Sequence, residues 1–250
     1  MNSRTLIFLF LWVCSFSLSI DLLAQQQGWF AQTSGTTNYL MGVSFADGDI
    51  GTVVGVGGLI LRTTNGGSTW VSQPSTTVNH LFGVCFIDAN TGTAVGFGGT
   101  IVRTTNGGAT WYSQSSGTTQ DLYSMAFTNV NNGIIVGGTG TILRTTNGGA
   151  SWTPQSSGTT DNLYGVSFGS AATGFAVGGF VSGTIVKTTD GGITWARQTN
   201  GASGFLTSVS TIDPSTAAAV ATDGTILKTT NGGATWMQQT SGVSTILYSV

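Results

Sequence analysis

The chain has 250 residues, of which only 6% are charged; its nine acidic residues are all aspartate, and its formal net charge is −2. Charged residues usually make up about 25% of a soluble domain, and no basic run is present, which excludes nucleic-acid binding by phosphate neutralisation. A content of 40% hydrophobic and 10% aromatic residues is typical of a packed fold rather than a disordered chain.

The first 24 residues are predicted to be a signal peptide. Residues 1–4 carry one positive charge, residues 5–20 are apolar, and Ala24 supplies a small residue at the cleavage position. The apolar run is shorter than the roughly 20 residues needed to span a bilayer. We therefore expect cleavage, no membrane span in the mature chain, and a periplasmic, cell-surface or extracellular location. A lipoprotein anchor at Cys14 is disfavoured because Val13 precedes it.

Residues 25–250 are predicted to form one repeat domain. Six tryptophans recur at spacings of 41, 41, 41, 43 and 41 residues: Trp29, Trp70, Trp111, Trp152, Trp195 and Trp236. All but the first close the same octapeptide, which reads Thr-Thr-Asn-Gly-Gly-Ser-Thr-Trp at 63–70. A fixed period of this length indicates stacked supersecondary units that cannot bury their apolar faces alone.

Each unit is predicted to contain four short strands, at about 40–46, 51–56, 59–64 and 69–73 in the first unit. In the first strand, large residues at 41, 43 and 45 alternate with small ones at 42 and 44. We expect the large face to pack against a neighbouring sheet and the small face to suit the crowded centre. Four-stranded units of about 40–45 residues predict an all-β fold, a β-propeller with five complete blades.

Partial strands are expected at both ends of the domain. Residues 29–32 match a fourth strand with no unit before it, and residues 247–250 match only a first strand. In a closed ring the N-terminal strand would pair with the C-terminal blade and leave no open edge. We therefore expect a C-terminally incomplete propeller of six or seven blades.

The octapeptide is the Asp-box, and its acidic position holds Asn65, Asn106, Asn147, Asp190 and Asn231. Both side chains accept backbone N–H bonds and favour tight turns. Calcium requires several carboxylates, so this pattern indicates a structural turn, with no metal and no cofactor. The Trp that closes each box is expected to fill an apolar slot.

Over its mature length the chain resembles Asp-box (BNR) repeat propellers. The pattern Gly-Thr-Ile-x-Arg/Lys-Thr-Thr-Asn/Asp-Gly-Gly-x-Thr-Trp is most similar to the photosystem II assembly and stability factor family, and bacterial surface proteins carry the same repeats. The resemblance implies a non-enzymatic, exported propeller that holds partner proteins. A glycoside hydrolase of sialidase or xyloglucanase type, or a structural surface repeat protein, is the alternative.

No catalytic residue is predicted. A sialidase-type nucleophile pair requires Glu, which is absent, whereas a pair of Asp remains compatible with the composition. However, Asp47, Asp88 and Asp213 share one repeat phase, and Asp121 and Asp161 lie near another repeated turn, as turn-forming residues do. His80, the only histidine, lies in a connecting loop, and Cys85 is expected to be a buried, inert thiol.

We expect the protein to be a monomer that binds a protein or glycan partner. Two sets of residues are candidates for this binding. A cation occupies one position of every unit: Arg62, Arg103, Arg144, Lys187 and Lys228. The resemblance implies an arginine-rich partner patch, but each cation could instead serve the blades themselves. Apolar residues at the turns between second and third strands, Phe97 and Phe180 with Val56 and Val181, are the second set. The loops that lead into the first strands of the same blades contain Tyr39, His80, Asp121 and Asn162.

Overall fold

A computed structural model describes residues 31–250 of the chain; the predicted signal peptide and the segment at Trp29 lie outside this range. Residues Ser34–Val250 form one compact unit. It consists of five antiparallel sheets of four strands each, and in every sheet the strands follow one another in sequence order. In the described range no helix is long and apolar enough to cross a bilayer.

The five sheets are the predicted blades, and in the first blade the strands begin and end within about two residues of the expected positions. Blade one contains β1 (Leu40–Phe45), β2 (Gly51–Gly55), β3 (Ile60–Thr63) and β4 (Val71–Ser72). Blade two contains β5 (Leu81–Phe86), β6 (Gly92–Gly96), β7 (Ile101–Thr104) and β8 (Tyr112–Gln114). Blade three contains β9 (Leu122–Phe127), β10 (Gly133–Gly137), β11 (Ile142–Thr145) and β12 (Thr153–Gln155).

Blade four contains β13 (Leu163–Phe168), β14 (Gly174–Gly179), β15 (Gly183–Thr188) and β16 (Ala196–Gln198). Blade five contains β17 (Leu206–Thr211), β18 (Ala217–Ala221), β19 (Ile226–Thr229) and β20 (Met237–Gln239). A single 3-10 turn connects the second and third strands in each of the first three blades. Consecutive first strands contact each other, so the blades pack in chain order. The fold is therefore a β-propeller of four-stranded blades.

Small residues in the first strands allow neighbouring blades to approach closely. A Cβ on Gly42 would lie 2.9 Å from the Phe82 carbonyl oxygen, and one on Gly83 would lie 3.1 Å from the Tyr123 carbonyl oxygen. A side chain at these positions would collide with the backbone of the next blade. The small face of the predicted alternation therefore lies against the next first strand.

The predicted large face is wrong at one position, because a β-bulge interrupts each first strand. The register shifts between Leu40 and Gly42 in blade one, and the same shift occurs in the other four blades. As a result the leucine that begins the strand, fully buried as Leu81 in blade two, joins Val84 and Phe86 in one apolar cluster. The intervening residue, Phe82, stays half-exposed.

Four apolar clusters hold the five blades together, one at each junction. We call the side of a blade that contacts the preceding blade its upstream face and the other side its downstream face. At the first junction, the downstream Val54 and Ile60 pack against the upstream Leu81, Val84 and Trp111. The other three clusters repeat this combination, with Met125 in place of the valine at the second junction. No blade buries its apolar faces alone, as the repeat predicted.

An aromatic pair fills the upstream face near the end of each first strand. The rings of Phe45 and Trp70 pack edge to face with centroids 6.2 Å apart, and blades two to four repeat the pair. The Phe ring also covers a glycine on the second strand, where a Cβ on Gly51 would lie 2.7 Å from it.

Blade five departs from this arrangement, since Thr211 replaces the phenylalanine and Ala217 replaces the glycine. The ring that packs against Trp236 comes instead from the preceding blade. It belongs to Phe175, is fully buried, and lies 5.3 Å from Trp236 between centroids. Trp236 therefore also has an aromatic neighbour, which the preceding blade supplies.

Residues 247–250, predicted to begin a further first strand, form no regular strand but bond to blade five. The Leu247 amide donates to the Ala221 carbonyl at 3.1 Å, and the Val250 amide donates to Ser208 Oγ at 3.4 Å. At the opposite end of the stack, no blade among residues 31–250 precedes blade one. Val43 is 60% exposed, whereas its equivalent Val84 is 9% exposed.

We expect Phe175→Ala to lower the free energy of unfolding by about 3–5 kcal/mol, because it removes a buried ring and leaves a cavity beside Trp236. Urea unfolding followed by near-ultraviolet circular dichroism measures the change. Phe180→Ala removes the same ring from an exposed turn and is the matched control, with an expected change within about 0.5 kcal/mol. Equal effects of the two substitutions would contradict the junction described above.

Candidate functional site

The blades present two ends with different chemistry. The Asp-box turns and the turns between first and second strands lie at one end, joined by backbone bonds such as Gly66 N–H to the Asp49 carbonyl at 2.9 Å. We call this the Asp-box end. The turns between second and third strands and the loops that lead into each first strand lie at the other, which we call the turn end.

Each Asp-box is closed by its own side chains. In blade one Asn65 Oδ1 accepts the Thr69 amide at 3.0 Å, and Asn65 Nδ2 donates to Thr69 Oγ1 at 3.0 Å. Thr63 Oγ1 accepts the Gly67 amide at 2.9 Å, and Gly66 and Gly67 both have positive φ. The same bonds recur around Asn106, Asn147 and Asn231. The boxes thus use their polar atoms to hold a turn.

Asp190 reverses the polarity of one bond in this turn. The Thr194 hydroxyl donates to the carboxylate, whereas in the other boxes the Asn amide donates to the hydroxyl. The hydroxyl and backbone amide of Thr194 lower the pKa of Asp190 from 3.8 to about 2. The indole of Trp195 donates to the Gly192 carbonyl at 3.2 Å, and Trp111, Trp152 and Trp236 are likewise buried beneath their boxes.

The repeat-phased acids cap turns at the Asp-box end. Asp47 Oδ1 accepts the Ile50 amide at 2.7 Å, Asp88 Oδ1 accepts the Thr91 amide at 2.7 Å, and Asp213 Oδ1 accepts the Thr216 amide at 2.8 Å. In blades three and four Asn129 and Ser170 accept the corresponding amides. Within the described range no cluster of three or more His, Cys, Asp and Glu side chains could hold a metal.

The cations of the repeat lie near the Asp-box end and reach from one blade to the next. Arg62 donates to the Ala89 carbonyl at 2.9 Å, Arg103 to the Gly148 carbonyl at 3.0 Å, and Arg144 to the Gly191 carbonyl at 3.0 Å. Lys187 Nζ lies 3.4 Å from where a Cβ on Gly232 would be, whereas Lys228 is exposed. These contacts link blades, and a binding role for the cations stays a prediction.

At the turn end, a polar residue from each following blade caps the preceding turn. His80 Nδ1 accepts the Gly57 amide at 3.0 Å, Asp121 Oδ1 accepts the Gly98 amide at 2.8 Å, and Asn162 Oδ1 accepts the Thr139 amide at 3.0 Å. The three side chains differ, but each supplies one acceptor at the same place. In blade five the equivalent residue is Phe205, which has no acceptor.

Four aromatic rings form a continuous row across the turn end, which we call the aromatic arc: Phe82, Tyr123, Tyr164 and Phe205. Successive ring centroids are 5.7, 5.1 and 5.7 Å apart. All four side chains are half-exposed, and burial is the largest cause that raises the pKa of Tyr123. The row was not predicted, because its members are about 41 residues apart and meet only after the blades stack.

The predicted apolar turn residues flank the aromatic arc. Phe97 is exposed and lies 6.5 Å from the His80 ring between centroids. Phe180 and Val181 occupy the tip of the longer hairpin in blade four and are 76% and 82% exposed. Tyr39 is exposed, whereas Val56 is half-buried. Cys85 is not disulfide-bonded, and burial raises the pKa of its thiol to about 11.

These features define an Asp-box β-propeller with structural boxes at one end and an aromatic surface at the other. The family model described as photosynthesis system II assembly factor YCF48 matches residues 75–153 and 114–247. Because these matches cover more than half of the chain, it belongs to the YCF48 family. No similar sequence is found among curated proteins.

Solved propellers share the fold at low identity. A structure of YCF48 bound to D1 peptide is 18% identical with a TM-score of 0.61, over 84% of this chain and 83% of that one. YCF48 from Cyanidioschyzon merolae is 18% identical with a TM-score of 0.58, over 86% and 90%. A GH74 xyloglucanase from Xanthomonas campestris is 14% identical with a TM-score of 0.68, over 87% of this chain but 41% of the enzyme.

We expect Asp190→Asn to remove an acid-sensitive part of the stability. A carboxylate with a pKa of about 2 in the fold and about 3.9 when unfolded stabilises the protein above pH 4 or so and loses this contribution as the pH falls through 2. The difference in melting temperature, wild type minus variant, should therefore become smaller as the pH is lowered from 5 to 2. A difference that does not change with pH would contradict this role.

We expect Asp121→Leu to lower the free energy of unfolding by about 1 kcal/mol, because the Gly98 amide loses its acceptor. Asp121→Asn keeps the acceptor, since Asn162 plays this part in the next blade. This variant should change the free energy of unfolding by less than about 0.5 kcal/mol. Urea unfolding measures both, and hydrogen exchange at Gly98 reports the bond directly. Unchanged exchange in the leucine variant would show that the cap does not protect the turn.

Proposed function

We propose that this protein is an exported, non-catalytic propeller that binds a protein partner through its turn end. The observation that carries the proposal is the half-exposed aromatic arc flanked by the exposed Phe97, Phe180 and Val181. Contiguous exposed apolar surface is rare on monomeric proteins and marks interaction sites. Aromatic residues are also enriched where proteins bind one another.

The chemistry of the acids supports a non-catalytic role. Hydrolysis of a glycosidic bond uses two carboxyl groups that face each other across the substrate. Here Asp47, Asp88 and Asp213 accept backbone amides within their own turns, and Asp161 pairs with Arg197 at 3.6 Å. Each of these carboxylates therefore has a structural partner. The name of one solved family member, YCF48 bound to D1 peptide, supports a polypeptide as the partner class.

Export rests on the predicted signal peptide. Expression of the full chain with its leader, followed by sequencing of the mature N-terminus, should give Gln25 as the first residue in the exported fraction. An intact chain retained in the cytoplasm would contradict export without affecting the proposed binding.

Selection of a random peptide display library and screening of a glycan array against residues 25–250 test the binding proposal. We expect saturable peptide ligands that slow hydrogen exchange in the turns at Phe97–Gly99 and Gly138–Gly140. Ligands that protect only the Asp-box end, or glycans without peptides, would contradict it. Release of reducing sugar from xyloglucan would contradict the non-catalytic assignment.

A further inference from the structure

The junction between blades four and five breaks the repeat in two ways at the turn end. Two extra residues lengthen the β14–β15 hairpin, which pairs through Gly179 and Gly183 and places Phe180 and Val181 at its tip. Phe205 also replaces the polar cap found at the first three junctions. A Cβ on Gly179 would lie 3.0 Å from the Phe205 Cβ, so the Phe205 side chain begins next to the base of the hairpin.

Neither change is required for folding of the described blades. The longer hairpin pairs its own backbone, so the turn needs no acceptor from blade five. Phe180 and Val181 are 76% and 82% exposed and belong to none of the apolar clusters at the junctions. Burying such side chains stabilises by about 25 cal/mol per Å² of apolar surface. This gain is available only to a molecule that covers them.

The exposed hairpin tip continues into the aromatic arc. Phe205 lies 5.7 Å from Tyr164, and Tyr164 lies 5.1 Å from Tyr123, between ring centroids. We call these three rings together with Phe180 and Val181 the apolar strip. The apolar strip extends from the tip of the β14–β15 hairpin in blade four to Tyr123 in blade three.

Carboxylates lie beside the apolar strip at two places. Asp121 is close enough to Tyr123 to raise the pKa of its phenol, after the effect of burial. The Asp223 carboxylate lies within 3.0 Å of where a Cβ on Gly204 would be, next to Phe205. The Ser203 hydroxyl donates to Asp223 at 2.7 Å, and this bond is the largest cause that lowers its pKa. Both groups are therefore acceptors that a cation would complement.

The cations of the described range do not offset these charges. The repeat cations reach carbonyl groups near the Asp-box end, as Arg103 and Arg144 show. Arg197 is closer to the turn end but pairs with Asp161 at 3.6 Å. The apolar strip therefore has negative charge on its border, which favours a positively charged partner.

Building on the proposed function, we propose that the apolar strip binds an apolar polypeptide segment of the partner that carries a lysine or arginine at its flank. The rings of Tyr123, Tyr164 and Phe205 cover the apolar side chains of the segment, and Phe180 and Val181 close over them. Asp121 and Asp223 receive the basic flank. An acidic segment is excluded by repulsion, and a polar one gains nothing from the apolar strip.

A random twelve-residue peptide display library, selected against residues 25–250 and against a triple variant, tests this inference. The variant is Phe180→Ser, Val181→Ser and Phe205→Asn; the last change introduces the residue that Asn162 supplies in blade four. Ile193→Ser, at an exposed apolar position of the Asp-box end, is the control. Near-ultraviolet circular dichroism verifies that every variant is folded.

We expect the wild type and the Ile193 control to enrich peptides in which aromatic or aliphatic residues adjoin Lys or Arg, and the triple variant to lose them. The best selected peptide should bind the triple variant at least tenfold more weakly. Asp121→Asn combined with Asp223→Asn, which keeps both hydrogen-bond acceptors, should weaken it at least threefold at low salt and less at high salt.

Three outcomes would overturn the inference. One is enrichment of acidic or polar peptides, the second is a selected peptide that binds the triple variant as well as the wild type, and the third is affinity unaffected by the two Asp substitutions. If the selected peptides bind the triple variant as well as the wild type but still slow hydrogen exchange at the turn end, binding by the turn end stands and only the apolar strip is wrong. If no saturable ligand is recovered, the proposed function fails as well.

Discussion

The blade junction is the interaction on which the rest of this structure depends. A four-stranded sheet of this repeat has two apolar faces and cannot bury either one by itself. At each junction a leucine, a valine or methionine, and a tryptophan of one blade pack against aliphatic residues of the blade before it. Each side chain buried in this way contributes about 1.5–3 kcal/mol, whereas a capping hydrogen bond contributes about 1 kcal/mol. The apolar groups therefore drive stacking, and the caps and cations fix how one blade is aligned with the next.

The sequence was sufficient to predict the blades because the dominant signal is local. The Asp-box closes on its own hydrogen bonds within eight residues, so its spacing marks the end of every third strand regardless of tertiary contacts. The bulge in the first strand was missed, since alternation over six residues cannot show a register shift of one. A leucine at the start of all five first strands, at Leu40 and its equivalents, was the available signal.

The candidate site was harder to predict, because its residues become neighbours only in space. A Phe or Tyr at the second position of the first strand is an ordinary core residue in sequence terms. The bulge keeps it out of the junction cluster, and stacking then aligns Phe82, Tyr123 and Tyr164 in a row. The same applies to the cations, since sequence alone could not distinguish a bond to the next blade from a free charge. The recurrence of a cation in every unit was the available signal, because it favours a structural contact over a binding role.

Departures from the repeat separate structural compensation from surface specialisation. Where Thr211 replaces an aromatic residue, Phe175 of the preceding blade supplies the missing ring against Trp236, so the change is compensated within the fold. Where Phe205 replaces a polar cap, the longer hairpin removes the need for that cap, but its tip at Phe180 and Val181 is left exposed. The first departure preserves the junction, whereas the second adds surface without adding to any junction.

This separation explains how one scaffold accommodates different functions. Residues at the turn end lie outside the clusters that hold the blades together, so they can vary at little cost to stability. Solved propellers that share this fold at 14–18% identity include a protein bound to a peptide and a xyloglucanase, which is consistent with function residing in sites rather than in the fold. In the present chain, the turn end combines aromatic rings with two carboxylates, while the repeat cations lie near the opposite end. This surface chemistry is the basis for the proposed partner, an apolar polypeptide segment with a basic flank.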